Sequence, residues 1–156
     1  MIEIREVQNK DMKAQITLAV MNALPDWFSP REDIIEKSKK HKDYPFFAAF
    51  DGDKPIGFVT LKIHNIYTAD IFTLGILKQY HRQGIGHSLV EKCNLYCLRM
   101  GYKFLTVKTL DESADYEPYN GTRKFYRSEG FYPLEIFKTF WNEGNPCLFL
   151  VKVVER

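Results

Sequence analysis

Two short segments of the sequence carry residue types that suit a chemical role, and the first of them suits the binding of a phosphate group. The first runs from Leu74 to Val90 as an apolar strand, a loop with Gly84 and Gly86, and the start of a helix. Glycine lacks a Cβ, so the backbone can turn sharply and approach a ligand, while the first N–H groups of the following helix are free to face an anion. This arrangement predicts a pyrophosphate site.

Two other kinds of phosphate loop are disfavoured by the same residues. A Rossmann fingerprint needs a third glycine three residues after the second, where this chain has Leu89. A Walker loop needs Gly-Lys followed by Ser or Thr, and that combination does not occur. A Gly-x-Gly alone is a weak signal, because a helix can simply begin with glycines, so the interpretation depends on the second segment.

The second segment runs from Tyr119 to Phe131 and predicts a short helix that ends at Gly130. Together the two segments resemble the GNAT superfamily of acetyl-coenzyme-A-dependent N-acetyltransferases. In that family a (Gln/Arg)-x-x-Gly-x-(Gly/Ala) loop binds the cofactor, and a later Tyr-x-x-x-Gly-Phe motif supplies a tyrosine beside the cofactor sulfur. The resemblance extends from about Ile2 to Val154 and implies transfer of an acetyl group from acetyl-CoA to a primary amine.

The resemblance assigns cofactor binding to the strand end, the glycine loop and the later helix. In the family the strand before the loop splays from its neighbour, so its backbone groups pair with the pantetheine arm, and here the Ile76 N–H is expected to polarise the acetyl carbonyl. The pyrophosphate is expected on the N–H groups from about Arg82 to His87, with Arg82 and Gln83 adding side-chain donors. The predicted cofactor-binding residues are Leu74, Gly75, Ile76, His81, Arg82, Gln83, Gly84, Ile85, Gly86, His87, Asn120 and Phe125.

One residue departs from the family pattern. Where the family usually has Gln or Arg at the first position of the loop motif, this chain has His81. An imidazole can donate to phosphate, yet it is mostly neutral at pH 7 unless the phosphate raises its pKa. Cofactor binding is expected to be retained, and two interpretations of His81 stay open: a phosphate ligand, or a partly exposed loop histidine.

Two side chains are predicted to take part in proton transfer. Tyr126 lies four residues before Gly130, and a phenol with an ordinary pKa near 10 can donate to a thiolate of similar basicity. The alternative for Tyr126 is an aromatic core residue beside Phe125. Asp70 falls near the position where the histone-acetylating branch of the family has its base glutamate. It is interpreted either as a base that acts through a water or as a solvent-facing strand residue, since many relatives lack a dedicated base.

The acceptor is not identified by the sequence. Trp27, Phe28 and Tyr116 are the predicted substrate-binding residues, because aromatic walls suit an amine or ammonium through cation–π contact. Polyamines, aminoglycosides, amino acids, peptide N-termini and lysine side chains all stay open as acceptors. Further residues that could line the pocket, or belong to the core or rim, are His64, Tyr67, Asp115, Glu117, Tyr119, Phe140 and Trp141.

Two alternative functions also stay open. A non-catalytic module that senses acyl-CoA would bind the cofactor without transferring its acyl group, although the presence of Tyr126 favours catalysis. A transferase for a longer acyl group would need more space around Leu74, Ile76 and Phe125 than sequence can measure.

The composition is typical of one compact domain over residues 1–156. With 156 residues, 45% of them hydrophobic, the chain can bury a sizeable core. A net charge of +2 without long runs of one sign favours neither a nucleic-acid arm nor a membrane anchor. The polar N-terminal segment is unlike a signal peptide, so we expect a cytosolic protein, and a homodimer is possible because dimers are common in the family. Cys93, Cys97 and Cys147 are interpreted as buried thiols, and no metal site is expected.

The periodicity predicts an α/β fold of the GNAT type, with a central, mostly antiparallel, twisted sheet that is splayed at the cofactor site and has helices on both faces. Ser29 and Pro30 predict a helix N-cap and its first residue. Strands are predicted over 2–7, 46–50, 56–64, 67–77 and 102–109, with two closing strands around a turn at 142–145. Helices are predicted over 11–24, 30–40, from the glycine loop to about 101, and over 119–129.

Overall fold

The computed structural model describes residues 1–156 and contains a single seven-stranded sheet. Its strands are β1 (Ile2–Glu6), β2 (Phe46–Asp51), β3 (Lys54–Ile63), β4 (Thr68–Ile76), β5 (Phe104–Leu110), β6 (Tyr132–Asn142) and β7 (Asn145–Val153). Its helices are α1 (Lys10–Asn22), α2 (Arg31–His41), α3 (Ile85–Met100) and α4 (Pro118–Ser128), with short 3₁₀ turns at Lys78–Tyr80 and Glu112–Ala114. Every predicted element is present, and the ends differ from the predicted ones by a few residues.

The sheet is mixed and mostly antiparallel, as predicted. Its strand order is β1-β2-β3-β4-β5-β7-β6, and only β4 and β5 run parallel. A parallel pair needs a long crossover connection, and α3 provides it between β4 and β5. The glycine loop therefore lies where β4 passes into this crossover helix.

Two neighbouring residues of β4 show that helices cover both faces of the sheet. A Cβ added to Gly75 would lie 3.3 Å from Val20 Cγ1 of α1. A Cβ added to Gly86 of α3 would lie 3.4 Å from Ile76 Cδ1. Because successive strand residues point to opposite faces, α1 and α3 pack on opposite sides of the sheet.

The predicted splay between β4 and β5 is present. Their pairing ends at Ile71 and Val107, although β4 continues to Ile76 and β5 to Leu110. Beyond the last pair the two strands diverge without cross-strand hydrogen bonds. We call the gap between residues 72–76 and 108–110 the opening.

A bulge in β4 lies at the start of the residues that border the opening. Thr60 pairs with Thr73 and Leu61 with Ile71, so Phe72 is left without a partner on β3. After the bulge, Thr73 reaches α2, where its hydroxyl contacts a ring nitrogen of His41. A β-bulge interrupts the alternation of side chains along a strand. The face of the sheet to which each residue after Thr73 points therefore depends on the bulge as well as on the alternation.

His41 is buried in the core between α1, α2 and β4. It is fully buried, its Nδ1 lies 2.8 Å from Thr17 Oγ1, and its Nε2 lies 3.1 Å from Thr73 Oγ1. The Thr17 hydroxyl already donates to the Lys13 carbonyl at 2.8 Å. It must therefore accept from His41, which places the proton on Nδ1 and leaves Nε2 to accept from Thr73. Burial, with the nearby charge of Lys37, lowers the pKa of His41 to about 3.

The helix ends agree with the glycine predictions and correct the prediction for Ser29. Gly101 and Gly130 have left-handed φ angles of 85° and 95° at the ends of α3 and α4. The N-cap of α2 is Pro30, which is extended at ψ 176°, and no side chain caps this helix. The prediction that Ser29 is the N-cap is wrong, because the extended Pro30 moves the start of the helix to Arg31.

The three cysteines are free and buried, as predicted. The structure contains no group of three or more His, Cys, Asp or Glu side chains arranged to hold a metal ion. None of its helices combines the length and the apolar character needed to cross a membrane.

Candidate active site

The backbone of β4 presents polar groups to the opening at two of the three predicted residues. The N–H of Leu77 donates to the Ile56 carbonyl of β3 at 2.9 Å. Because hydrogen-bonding direction alternates along an antiparallel pair, Gly75 also points its N–H and C=O toward β3. Leu74 and Ile76 point theirs the other way, into the opening. Of the three predicted residues, Leu74 and Ile76 direct backbone groups into the opening, while Gly75 gives α1 room to pack. Cofactor binding by all three stays a prediction.

His81 lies beside the opening, with its ring directed at β4. Its Nε2 donates to the Ile76 carbonyl at 2.6 Å, and its ring centroid lies 5.9 Å from that of Trp27. The Nε2 group is therefore directed at the strand and away from a phosphate on the loop. The sequence signalled this position only as a departure from the family pattern, because the partner carbonyl is supplied by the fold.

The glycine loop leaves several N–H groups without partners. Arg82 and Gly84 have left-handed φ angles of 62° and 81°, and no side chain caps α3. The first helical bond runs from Ser88 N–H to the Gly84 carbonyl, so the N–H groups of Ile85, Gly86 and His87 have no acceptor in the protein. Arg82 and Gln83 are exposed, and the Gln83 amide contacts the Gln79 carbonyl at 3.3 Å.

Gly86 brings α3 against α4. A Cβ at Gly86 would lie 2.9 Å from two ring atoms of Phe125, closer than Cβ atoms approach other groups in proteins. Glycine is the residue that fits this contact without a shift of the Phe125 ring, so two predicted cofactor-binding residues meet here. The imidazole of His87 is held by Glu129 at the end of α4, with Nδ1 2.9 Å from Oε1, a pairing that the sequence did not indicate.

Asn120 lies at the start of α4 near the end of β5. Its Oδ1 accepts from Arg123 Nη2, and Nη1 of the same guanidinium donates to the Leu110 carbonyl at 2.7 Å. Arg123 therefore holds one end of α4 against the splayed end of β5. No pattern in the sequence singled out Arg123.

Tyr126 is buried, and its hydroxyl makes no hydrogen bond within the protein. It is 5% exposed, and its ring packs edge-on against Phe125 and Phe131 at centroid distances of 5.2 and 5.6 Å. Burial, and then the charge of Asp70, raises the pKa of Tyr126 well above its usual range. The phenol is thus a weaker acid than the sequence argument assumed, and it stays protonated at neutral pH.

Asp70 is buried and partnered. It is 3% exposed, accepts from Thr106 Oγ1 at 2.6 Å and lies 3.5 Å from Lys108 Nζ. His64 Nε2 lies 3.9 Å from the same carboxylate. The interpretation of Asp70 as a solvent-facing residue is wrong, because its pairing with β5 covers it. Its role as a base stays a prediction.

The predicted acceptor residues tie the α1–α2 loop (residues 23–30) to the start of α4. Trp27 Nε1 donates to the Pro118 carbonyl at 2.9 Å, and the Tyr119 hydroxyl donates to the Trp27 carbonyl at 2.8 Å. The Tyr116 hydroxyl donates to the carbonyl of residue 26 at 2.9 Å. Because Phe28 of the same loop lies against Gly75, the loop joins β4 to α4 next to the opening.

The remaining aromatic and acidic candidates lie outside this set of contacts. Tyr67, Phe140 and Trp141 are 55%, 57% and 45% exposed, and Asp115 and Glu117 are also exposed. Phe140 lies beside the Asp70 cluster, since the Lys108 ammonium is 5.6 Å from its ring centroid.

The comparisons with known proteins agree with this architecture. A family model described as an acetyltransferase (GNAT) domain matches residues 42–133, more than half of the chain. Among curated proteins, none matches the chain.

Solved structures share the fold over nearly the whole chain. A GNAT-family protein from Desulfovibrio desulfuricans has a TM-score of 0.85 at 18% identity, covering 99% of this chain and 100% of its own. A GNAT acetyltransferase from Elizabethkingia anophelis, with acetyl-CoA bound, has a TM-score of 0.72 at 19% identity, covering 97% of each chain. An aminoglycoside 6′-N-acetyltransferase complexed with coenzyme A has a TM-score of 0.76 at 15% identity, covering 99% of this chain and 98% of its own.

Proposed function

Because this chain belongs to the GNAT acetyltransferase family, we propose that it transfers the acetyl group of acetyl-CoA directly to the nitrogen of a primary amine. The observation that carries the proposal is the opening between β4 and β5, toward which Leu74 and Ile76 direct backbone groups that β5 does not pair. It continues into the uncapped N-terminus of α3. An extended arm that ends in a pyrophosphate needs a strand edge to pair with and, beside it, a helix N-terminus to hold the phosphates.

The residues present fit coenzyme A. A strand edge that exposes N–H and C=O groups can pair with the amides of the pantetheine arm as an added strand would. The unpaired N–H groups of Ile85, Gly86 and His87 suit the pyrophosphate, and the exposed Arg82 can add a charged donor. The E. anophelis acetyltransferase of the same fold binds acetyl-CoA, which supports the same cofactor here.

The chemistry follows from three groups of the chain. When bound, acetyl-CoA supplies a thioester whose carbonyl carbon the amine attacks as the carbon–sulfur bond breaks. The Ile76 N–H points into the opening and can donate to the developing oxyanion. Tyr126, which burial keeps protonated, donates its hydroxyl hydrogen to the departing sulfur.

The proton of the attacking amine needs a second acceptor. Asp70 is already bonded to Thr106 and Lys108, so it reaches the amine only through a water. The alternative is that the free-amine fraction binds directly and no dedicated base is used. The two alternatives predict different pH dependences of the rate, and the variant Asp70→Asn distinguishes them.

The experiment that tests this function measures thiol release from acetyl-CoA over a panel of primary amines, beside calorimetric titration with coenzyme A. We expect binding of coenzyme A and release with one class of amine. Binding without release from any amine favours the acyl-CoA sensor, and absence of binding overturns the proposal. Propionyl- and butyryl-CoA in the same panel test transfer of a longer acyl group.

A matched pair of glycine variants shows whether the loop binds the cofactor. Gly86→Phe places a side chain where a Cβ already meets Phe125, so we expect loss of coenzyme A binding. Gly121→Ala, in α4, meets no atom within 4 Å, so its coenzyme A affinity should equal that of the wild type. Equal affinity in both variants would mean that the glycine loop does not bind the cofactor.

We further propose a cytosolic location, and a homodimer stays a prediction.

A further inference from the structure

We propose that the acceptor amine also carries an anionic group, which the ammonium groups of Lys37 and Lys62 bind beside Phe72. The inference rests on the proposed function and limits its acceptor to one chemical class. Lys37 belongs to α2, Lys62 to β3 and Phe72 to β4, so no local sequence pattern brings the three together.

Both ammonium groups lie close to one aromatic ring at the border of the opening. Phe72 is the bulged residue of β4 and the first residue of the opening. Its ring centroid lies 5.8 Å from Lys37 Nζ and 6.0 Å from Lys62 Nζ. Neither Nζ atom has a carboxylate oxygen within 4.0 Å, since the salt bridges of the protein involve other groups. Two neighbouring positive charges therefore lack an ion-pair partner.

The surroundings of Lys37 make a bound anion favourable. The residue is half-buried on α2. Burial lowers the pKa of Lys37 below its usual value, and the charge of Asp33 offsets this only in part. An ammonium group that is partly removed from water and has no ion-pair partner is stabilised by an anion. Lys62 is exposed, so a ligand can reach its ammonium group from solvent.

The acidic residue opposite Lys62 in the sheet already has another partner. Lys62 pairs with Asp70 across β3 and β4. The Asp70 carboxylate lies 3.5 Å from the Lys108 ammonium and does not come within 4.0 Å of Lys62 Nζ. Asp70 is therefore engaged by Lys108, and Lys62 keeps a free ammonium group.

The two lysines lie on the side of α1 and α2, away from the glycine loop. The Phe72 ring lies 5.7 Å from the ring of His41 in α2, so it points to the face of the sheet that Phe28 also contacts. Ile76, whose N–H is expected to polarise the acetyl carbonyl, is four residues further along β4, a rise of about 13 Å. The glycine loop follows Ile76, at the far end of this segment. An extended acceptor can therefore place its amine at the acetyl group and its anionic group between the lysines.

This arrangement separates the acceptors that the sequence left open. Free amino acids and short peptides carry a carboxylate, so they fit the two lysines. Polyamines and aminoglycosides carry positive charges only, and the repulsion between like charges opposes their binding.

The test uses amines that share one six-carbon chain and differ at its far end. They are 6-aminohexanoate, 6-aminohexyl phosphate, 6-aminohexanamide and hexylamine, with spermidine as the cationic counterpart. Thiol release from acetyl-CoA gives kcat/KM for each. We expect a value about tenfold higher for an anionic probe than for 6-aminohexanamide, the effect of one charge-assisted hydrogen bond. The comparison of the carboxylate with the phosphate identifies the preferred anion.

Variants of the two lysines tie this preference to their charges. Lys37→Met and Lys62→Met keep a long, unbranched side chain and remove the ammonium group. Each should lower the ratio of kcat/KM between the preferred anionic probe and 6-aminohexanamide about five- to tenfold, whereas a purely structural effect would change both probes alike. Lys39→Met, on the exposed surface of α2, is the matched control and should keep the wild-type ratio. Lys62→Glu should shift the preference toward spermidine.

Three results overturn the inference. The first is release with other amines but with neither anionic probe, or equal kcat/KM for the anionic probes and 6-aminohexanamide. The second is a wild-type ratio in both Lys37→Met and Lys62→Met, and the third is a preference of the wild type for spermidine. All three leave the proposed function standing, because thiol is released. A wild-type chain that binds no coenzyme A, or that releases thiol with no amine of any class, overturns the proposed function and this inference together.

Discussion

At the scale of single residues, Tyr126 combines a buried ring with a hydroxyl that makes no hydrogen bond in the protein. Replacing Tyr126 with Phe removes a proton donor without leaving a former partner unsatisfied. We expect kcat to fall by a factor of about 10² to 10⁴, the usual range for loss of a general acid, while stability and coenzyme A affinity change little. Steady-state kinetics with an identified acceptor, beside calorimetry, checks this.

The pH dependence of Tyr126 has a definite direction. Burial raises its pKa well above the usual range, so the phenol stays protonated throughout the neutral range. Its ionisation should therefore add no descending limb to the kcat profile near neutral pH. A Tyr126→Phe enzyme with wild-type turnover would make Tyr126 a core aromatic residue.

Asp70 belongs to a buried polar cluster, which makes its replacement a test of two roles at once. Asp70→Asn keeps an acceptor for Thr106 but leaves the Lys108 ammonium, 3.5 Å away, without its counter-charge. We expect a loss of about 2–3 kcal/mol in the free energy of unfolding, because one partner of a largely buried ion pair is removed. Chemical denaturation measures this loss.

The kinetics of the same variant decide whether Asp70 is the base. If it accepts the amine proton, Asp70→Asn changes the shape of the pH–rate profile measured on folded enzyme. An unaltered profile together with the loss of stability would leave Asp70 a structural role only.

At the scale of secondary-structure elements, the contact between α3 and α4 depends on Gly86. In Gly86→Ala, the new Cβ lies 2.9 Å from the Phe125 ring, so the ring or one of the two helices must shift. We expect a loss of stability of about 1–3 kcal/mol from overpacking, with weaker coenzyme A binding. Adding Phe125→Leu makes room for the methyl group and should recover part of the stability lost.

The control for this prediction lies in α4, the other helix of the contact. Gly121→Ala in α4 meets no neighbour, so it should raise stability by about 0.5–1 kcal/mol through helix propensity alone. If Gly86→Ala behaves like Gly121→Ala in thermal and chemical unfolding, the two helices are not in close contact.

At the scale of the whole molecule, His41 joins α1, α2 and β4 and makes stability depend on pH. Its pKa is about 3 in the folded protein, against an ordinary value of 6.5. In the unfolded chain His41 therefore binds a proton as the pH falls below about 6.5, whereas in the folded chain it stays neutral down to about pH 3. Stability due to His41 is fully present above this window and is lost by about 1.4 kcal/mol per pH unit within it.

The variant His41→Gln isolates this contribution. Its free energy of unfolding, measured by denaturant titration from pH 7 to pH 4, should fall less steeply with pH than that of the wild type, by about one proton. Parallel slopes would mean that His41 is not buried as a neutral residue. The test depends only on the slope of the unfolding free energy against pH, so a lower stability of the variant at pH 7 does not affect it.

The sequence by itself determined the family, the order of the elements and the positions of the main motifs. Alternation, helical spacing and the glycines at 84, 86 and 130 are local signals, since each depends on residues within one or two turns of chain. They placed every strand and helix to within a few residues. The local signal failed at Ser29, because the conformation of Pro30 decides where α2 begins.

Only the tertiary structure decided how the site is assembled. The orientation of Gly75 away from the opening, the bond from His81 to Ile76 and the burial of Asp70 all depend on which strand lies beside β4 and where their pairing ends. Such partners are distant in sequence and close only in the fold, so no local pattern of residues encodes them.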